Sequence, residues 1–268
     1  KECRFPLKEL RKLAEDGVIR METKVMYRDP FPQFEKKETF VQLNEEQQAA
    51  AERFRRDFQE GVYPPYLLFG VTGSGKTEVY LHMIGTVLAQ GKQAIVLIPE
   101  ISLTYQTVRR FYERFGGRIA VLHSRMSAGG RSDACERIAA GEADVIIGAR
   151  SALFAPAKRL GLIIIDEEHD GAYKSDSTPK YHARETAVYR AQLAGASVVL
   201  GSATPSVESF YRAQQGEYVL LTLKNRAGNA ALPAVETVDL REEFRQGNRS
   251  VFSESLKEKM RERLARGE

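Results

Sequence analysis

The sequence predicts an α/β fold in which a mostly parallel sheet is covered by helices on both faces. Three observations predict it. Seven apolar runs, "YLLFG", "AIVLIP", "IAVLH", "DVIIG", "LIIID", "SVVLGSAT" and "YVLLTL", recur between residues 43 and 225. Each is apolar almost without a break, as expected of strands buried on both faces rather than strands with one solvated side. The stretches between them are amphipathic and of helical length, so consecutive strands are joined by crossovers and run parallel.

Taken in order, residues 4 to 30 begin with a short helix, "PLKELRKLAEDG", in which Leu7, Leu10 and Leu13 keep helical spacing and Gly17 is the stop. A β-ribbon, "VIRMETKVMYRD", follows, and the pair suits the last part of a winged helix, so residues 1–30 read as the remnant of such a domain. Residues 31–42 form a linker rich in Phe and Pro. Residues 43–225 carry the strand and helix repetition. Residues 226–268 read as an extension with a possible strand, "AVETVDL", and a charged helix, "SESLKEKMRERLARGE".

The composition, 43% hydrophobic over 268 residues, can build one large core or a large and a small one. There is no run of about eighteen apolar residues, so no membrane partner is expected. The two cysteines, Cys3 and Cys135, lie too far apart in sequence for a paired zinc motif and read as reduced thiols of a cytoplasmic protein. A net charge of +4 is compatible with a polyanionic partner.

The segment "GVTGSGKT", from Gly70 through Val71, Thr72, Gly73, Ser74, Gly75 and Lys76 to Thr77, satisfies G-x-x-x-x-G-K-[ST] between a strand and a helix. Its glycines let the backbone N–H groups close on phosphate, Lys76 neutralises the β/γ charge, and the Thr77 hydroxyl ligates Mg²⁺. ATP and Mg²⁺ are the cofactors this implies. The strand "LIIID" runs into Asp166, Glu167, Glu168 and His169. In an open parallel sheet, ligands gather at the carboxyl ends of strands, so the end of this strand can lie beside the end of "YLLF". Asp166 would then face the Mg²⁺, and Glu167 would polarise the water that attacks the γ-phosphate. Glu168 and His169 either couple to a moving element or cap the next segment. His123 reads as a satisfied loop histidine rather than a catalyst, and Phe154 as core rather than a base wedge.

The "DEEH" segment together with "GSATPS", behind a P-loop, resembles the motifs of superfamily 2 helicases and translocases, which implies a RecA-like lobe. Ser202 and Thr204 would hydrogen-bond the acidic cluster, and Pro205 would start a helix. "LNEEQQAA" resembles the adenine-reading Q motif of that superfamily and points to Gln47; the alternative is a capping box begun by Asn44. "LIPEISLTYQ", "LHSRMS", "IIGARSALFAP", "DEEHDGAYKSDSTPKYHARETAVYRA" and "LGSATPSVES" resemble successive segments of the bacterial replication-restart helicases, the PriA or primosomal protein N′ family. The resemblance implies an ATP-dependent 3′-to-5′ DNA helicase acting on single-stranded and forked DNA. Its partners would be other primosome and replication-restart proteins and single-stranded DNA-binding protein, in a bacterial cytoplasm and at the nucleoid. It also implies a 3′-end-binding domain, a second RecA-like lobe with an arginine finger, and a zinc module in that second-lobe region, so the chain reads as one part of a larger protein.

DNA contacts are expected from "GAYKSDSTPKYHARE": Tyr173 and Tyr181 as stacking surfaces, with Lys174, Lys180, His182 and Arg184 for phosphates. The segment resembles the aromatic-rich loop that couples DNA contact to hydrolysis in PriA and RecQ-type helicases; alternatively it leads into a helix that Tyr181 staples. Arg150 and Ser151, and after another strand Glu100, Ser102 and Thr104, sit where superfamily 2 loops touch the strand backbone; Arg150 could equally be an ion-pair partner at the core rim. Two other readings remain open: a nucleotide- and DNA-binding module without turnover, and an RNA-directed helicase.

Overall fold

In the computed structural model, which describes residues 6–20, 42–226 and 235–267, all seven apolar runs become strands. They are β1 (Pro65–Gly70), β2 (Gln93–Leu97), β3 (Ile119–Leu122), β4 (Val145–Gly148), β5 (Leu160–Asp166), β6 (Ser197–Ser202) and β7 (Val219–Leu223). They form one sheet in the order β3-β4-β2-β5-β6-β1-β7. Every pairing is parallel, so the sheet is wholly rather than mostly parallel.

Because side chains alternate across a strand, an unbroken apolar run feeds two cores at once. Leu162 and Ile164 of β5 pack with the helices α2 (Glu45–Gln59), α3 (Lys76–Ala89) and α4 (Tyr105–Phe115) on one face. Ile163 and Ile165 pack on the other face with α5 (Ala128–Ala140) and α6 (Ala183–Ala194), joined at its edge by α7 (Val207–Gln214). The preceding helix, α1 (Leu7–Glu15), ends as expected at Gly17, which takes a left-handed φ of 74° that costs glycine little. The ribbon expected after it falls mostly outside the described residues.

Compact units span residues 1–229 and 230–268. In the second, α8 (Leu240–Arg245) is capped by Asp239 and α9 (Glu254–Ala265) by Ser253. The strand expected in "AVETVDL" does not form over residues 235–239, and Leu240 opens α8 instead. A lone strand without a neighbour has nothing to bond, and the Asp239 cap favours the helix. Among the described residues, no helix is long and apolar enough to cross a membrane.

The sheet order corrects one expectation. β5 is not adjacent to β1, because β6 lies between them. Gly201 of β6 pairs with Leu68 on one side and Asp166 on the other, so the acidic strand end communicates with the P-loop across a glycine.

Candidate nucleotide site

The P-loop leaves β1 and wraps into α3, with Gly73 and Gly75 both at φ 81°. Val71 N–H donates to Leu223 O of β7 (3.3 Å) and Val71 O accepts from Ser74 N–H (2.9 Å), which fixes the base of the loop. Residues Thr72 to Thr77 line a cavity of about 730 Å³, together with Gln47, Asp166 and Glu167. Gly70 and Val71, also expected to touch the nucleotide, do not line it. A Cβ on Gly70 would lie 2.6 Å from Ser74 Oγ, so only glycine allows the loop to fold back this closely. Lys76 Nζ donates to Gly70 O (3.1 Å) and sits 3.8 Å from Glu167 Oε1.

Gln47 takes up the capping reading offered for it. Its Oε1 accepts from Asn44 N–H (3.0 Å) while its own N–H donates to Asn44 Oδ1 (2.9 Å), a full capping box at the start of α2. Its Nε2 donates to Ser74 O (2.7 Å), tying that cap to the P-loop. One lone pair and one N–H of the amide remain for another partner.

At the end of β5, Tyr80 Oη donates to Asp166 Oδ1 (2.9 Å). Burial pushes the Asp166 carboxyl above its ordinary value, while the Tyr80 hydrogen bond and the Lys76 charge pull it back. Tyr80 reaches Asp166 by passing over Gly201, where a Cβ would sit only 1.6 Å from Tyr80 Oη. Glu167 has a φ of 48°, a left-handed value uncommon outside glycine, and its carboxylate stands 3.7 Å from His169 Nδ1.

His169 bonds both hydroxyls of the "SAT" segment: Nδ1 is 2.8 Å from Ser202 Oγ and Nε2 is 3.4 Å from Thr204 Oγ1. These hydroxyls thus meet the histidine rather than the acids. Pro205 does not start α7; Ser206 caps it. Glu168 turns away from the cavity. Fully buried, it accepts from Ser206 N–H (2.7 Å), Ser206 Oγ (3.0 Å), Ser209 Oγ (2.9 Å) and Arg184 Nη1 (2.9 Å). A carboxylate at a helix N-terminus is held by its orphan donors, and the arginine completes the pairing.

Several residues expected to meet DNA are committed elsewhere. Tyr173 is buried, with its hydroxyl 2.7 Å from Asp166 O and 3.0 Å from Leu97 O, so it pins β5 to β2 and offers no stacking surface. Arg184 is spent on Glu168. His182 caps α6, its Nδ1 accepting from Arg184 N–H (3.3 Å). Arg150 donates to Ala172 O (3.0 Å) and Lys174 O and bridges two loops. Thr104 caps α4, and Glu100 is bonded to Ser124. Ser102 lends its carbonyl to Thr107 Oγ1 (3.1 Å). Ser151, Lys174 and Lys180 are exposed and Tyr181 is half-buried. Phe154 is not core: it is 57% exposed. Sequence reasoning missed Tyr80 and Gly201, which look like any core tyrosine and strand glycine, and it missed Arg110 and Arg114 of α4 on the cavity wall.

The residues fit a magnesium nucleotide. The P-loop from Thr72 to Thr77, with the Lys76 ammonium, lines the same cavity as the Asp166 and Glu167 carboxyl groups. That donor set suits phosphate on one side and a cation on the other.

The wholly parallel sheet, the P-loop on β1 and the acidic end of β5 define a RecA-like lobe of the superfamily 2 helicase class. The chain belongs to the DEAD/DEAH box helicase family, which matches residues 44–212. Within that family it is similar to the replication restart proteins PriA. It is 49% identical to that of Bacillus subtilis (strain 168) over 97% of this chain and 32% of that protein. It is 46% identical to that of Chlamydia pneumoniae over 84% of this chain and 30% of that protein. The chain therefore spans about a third of the length of these relatives. Among solved structures it resembles RecG bound to a three-way DNA junction, with a TM-score of 0.53 and 25% identity over 69% of this chain and 24% of that one.

Proposed function

We propose that residues 43–225 are the first lobe of an ATP-driven, 3′-to-5′ DNA helicase that restarts replication. Residues 1–30 would be the end of its winged helix, and 226–268 would lead toward a second lobe. One observation carries this reading: a single cavity holds the P-loop, Asp166 and Glu167, and His169 beside it is bonded to both hydroxyls of "SAT". Likeness to PriA proteins supports the replication-restart assignment, and likeness to a DNA-bound RecG supports a DNA partner.

Backbone N–H groups of Gly73 to Thr77 and the Lys76 ammonium would hold the β- and γ-phosphates, and Thr77 with Asp166 would hold Mg²⁺. ATP with Mg²⁺ supplies the phosphoanhydride bond whose cleavage drives the motor. Lys76 moves its charge from Glu167 to the phosphates, and Glu167 is then free to accept a proton from the attacking water. His169 carries the change at Glu167 to Ser202 and Thr204, the segment that opens α7. Single-stranded and forked DNA, primosome proteins and single-stranded DNA-binding protein are the partners, in a bacterial cytoplasm.

Steady-state ATP hydrolysis by this chain, with and without single-stranded DNA and beside Glu167→Gln, tests the reading. DNA-stimulated turnover that falls at least 100-fold in Glu167→Gln is the expected result if one lobe suffices for the chemistry. Nucleotide and DNA binding without turnover would support the binding-module alternative for the isolated chain. Turnover unchanged in Glu167→Gln would remove Glu167 from the mechanism.

A further inference from the structure

With Tyr173 and Arg184 buried, the surface near the loop keeps one conspicuous feature. On the turn Arg150–Phe154, Ala152 and Leu153 are fully buried and Ala155 is 3% exposed, yet Phe154 between them is turned out to solvent. A single exposed apolar side chain needs no explanation. This one belongs to a built arrangement. Its ring meets Tyr181 edge-on, with centroids 5.1 Å apart and planes at 78°. The Arg150 guanidinium lies 5.5 Å from the Tyr181 centroid, close enough for a cation–π contact.

The backbone on either side of Phe154 is also fixed. Arg190 of α6 donates to Leu153 O and to Ala155 O (2.7 Å), gripping the two carbonyls that flank it. Across the gap, Arg150 holds the carbonyls of Ala172 and Lys174. The rings are therefore presented by rigid elements, and little conformational freedom is lost when something stacks on them. Within residues 174–181, Lys174 and Lys180 are exposed against one acid, Asp176. A flat aromatic face with cations beside it complements a single strand, whose bases present π-faces and whose backbone is anionic.

We infer that Phe154, braced by Tyr181, is a base-stacking platform for single-stranded DNA, with Lys174 and Lys180 taking the adjacent phosphates. The inference rests on the reading of this lobe as DNA-directed. It assigns the stacking role to a residue outside the loop where the sequence pattern put it.

The chain has no tryptophan, so Phe154→Trp introduces a single indole as reporter. Its emission is followed during titration with oligothymidylate and with an abasic oligonucleotide of equal length, beside anisotropy measurements on wild type and Phe154→Ala. The expected result is saturable quenching by oligothymidylate, little quenching by the abasic strand, and affinity about tenfold weaker or more in Phe154→Ala. Wild-type binding with unchanged indole emission and an equal affinity in Phe154→Ala would overturn the platform while leaving the DNA reading intact. Absence of wild-type binding to either oligonucleotide would overturn both.

Discussion

Arg184→Ala is expected to lower the free energy of unfolding by about 3–5 kcal/mol, the cost of leaving a buried carboxylate without its counter-charge. The Glu168 side chain is 0% exposed and that of Arg184 is 11% exposed. Three neutral donors, Ser206 N–H, Ser206 Oγ and Ser209 Oγ, stay on Glu168 after the substitution, which favours the lower end of the range. For a domain of this size that corresponds to a thermal midpoint lower by on the order of 10 °C. The damage should centre on the start of α7, because Arg184 also donates to Ser206 Oγ and to Ser209 Oγ (3.3 Å). If Arg184 were instead a phosphate contact, as its place in a basic loop suggests, the substitution would weaken DNA binding and leave the midpoint unchanged. Calorimetry and DNA titration on the same variant separate the two.

Gly201→Ala should do comparable harm by another route. The added methyl would stand 1.6 Å from Tyr80 Oη and 2.8 Å from Tyr80 Cζ, so the ring has to move. Tyr80 is fully buried, and a ring in a close-packed interior moves only by displacing its neighbours. Overpacking of this kind costs about 3 kcal/mol at the upper end of its usual range. The displaced hydroxyl also abandons Asp166, which loses the hydrogen bond that favours its ionised form. Nucleotide affinity in Mg²⁺ should therefore fall by at least about tenfold in preparations that remain folded. Tyr80→Phe removes the hydroxyl without the collision; it should reproduce part of the binding loss at a stability cost of only about 1 kcal/mol. Wild-type affinity and stability in Gly201→Ala would refute the crossing of Tyr80 over Gly201.

The strands and the phosphate cradle were legible because their causes are local. Unbroken apolar runs demand burial on both faces, and glycines at fixed offsets before Lys76 and Thr77 demand one loop. What escaped reading depends on groups distant in the chain. Tyr173 looks like an exposed loop aromatic until β2 brings Leu97 O beside Asp166 O, giving its hydroxyl a buried destination. Arg184 looks like a surface cation until β6 and α7 bring Ser206 and Ser209 around Glu168. Phe154 sits in an apolar run, "SALF", and reads as core; Arg190 holds the flanking carbonyls and leaves the ring outside. The order of β5, β6 and β1, which gives Gly201 its importance, has no local signature, since crossovers of similar length can return to either side of a sheet.

The most direct test of the central claim, that the cavity at the ends of β1 and β5 is a magnesium-nucleotide site, is equilibrium titration of the chain with a fluorescent ATP analogue in Mg²⁺. Saturable binding that unlabelled ATP displaces is the predicted result. In Lys76→Ala the affinity should fall about 100-fold, as expected when a charge-assisted contact is truncated. Failure to saturate, or equal affinity in wild type and Lys76→Ala, would contradict the account.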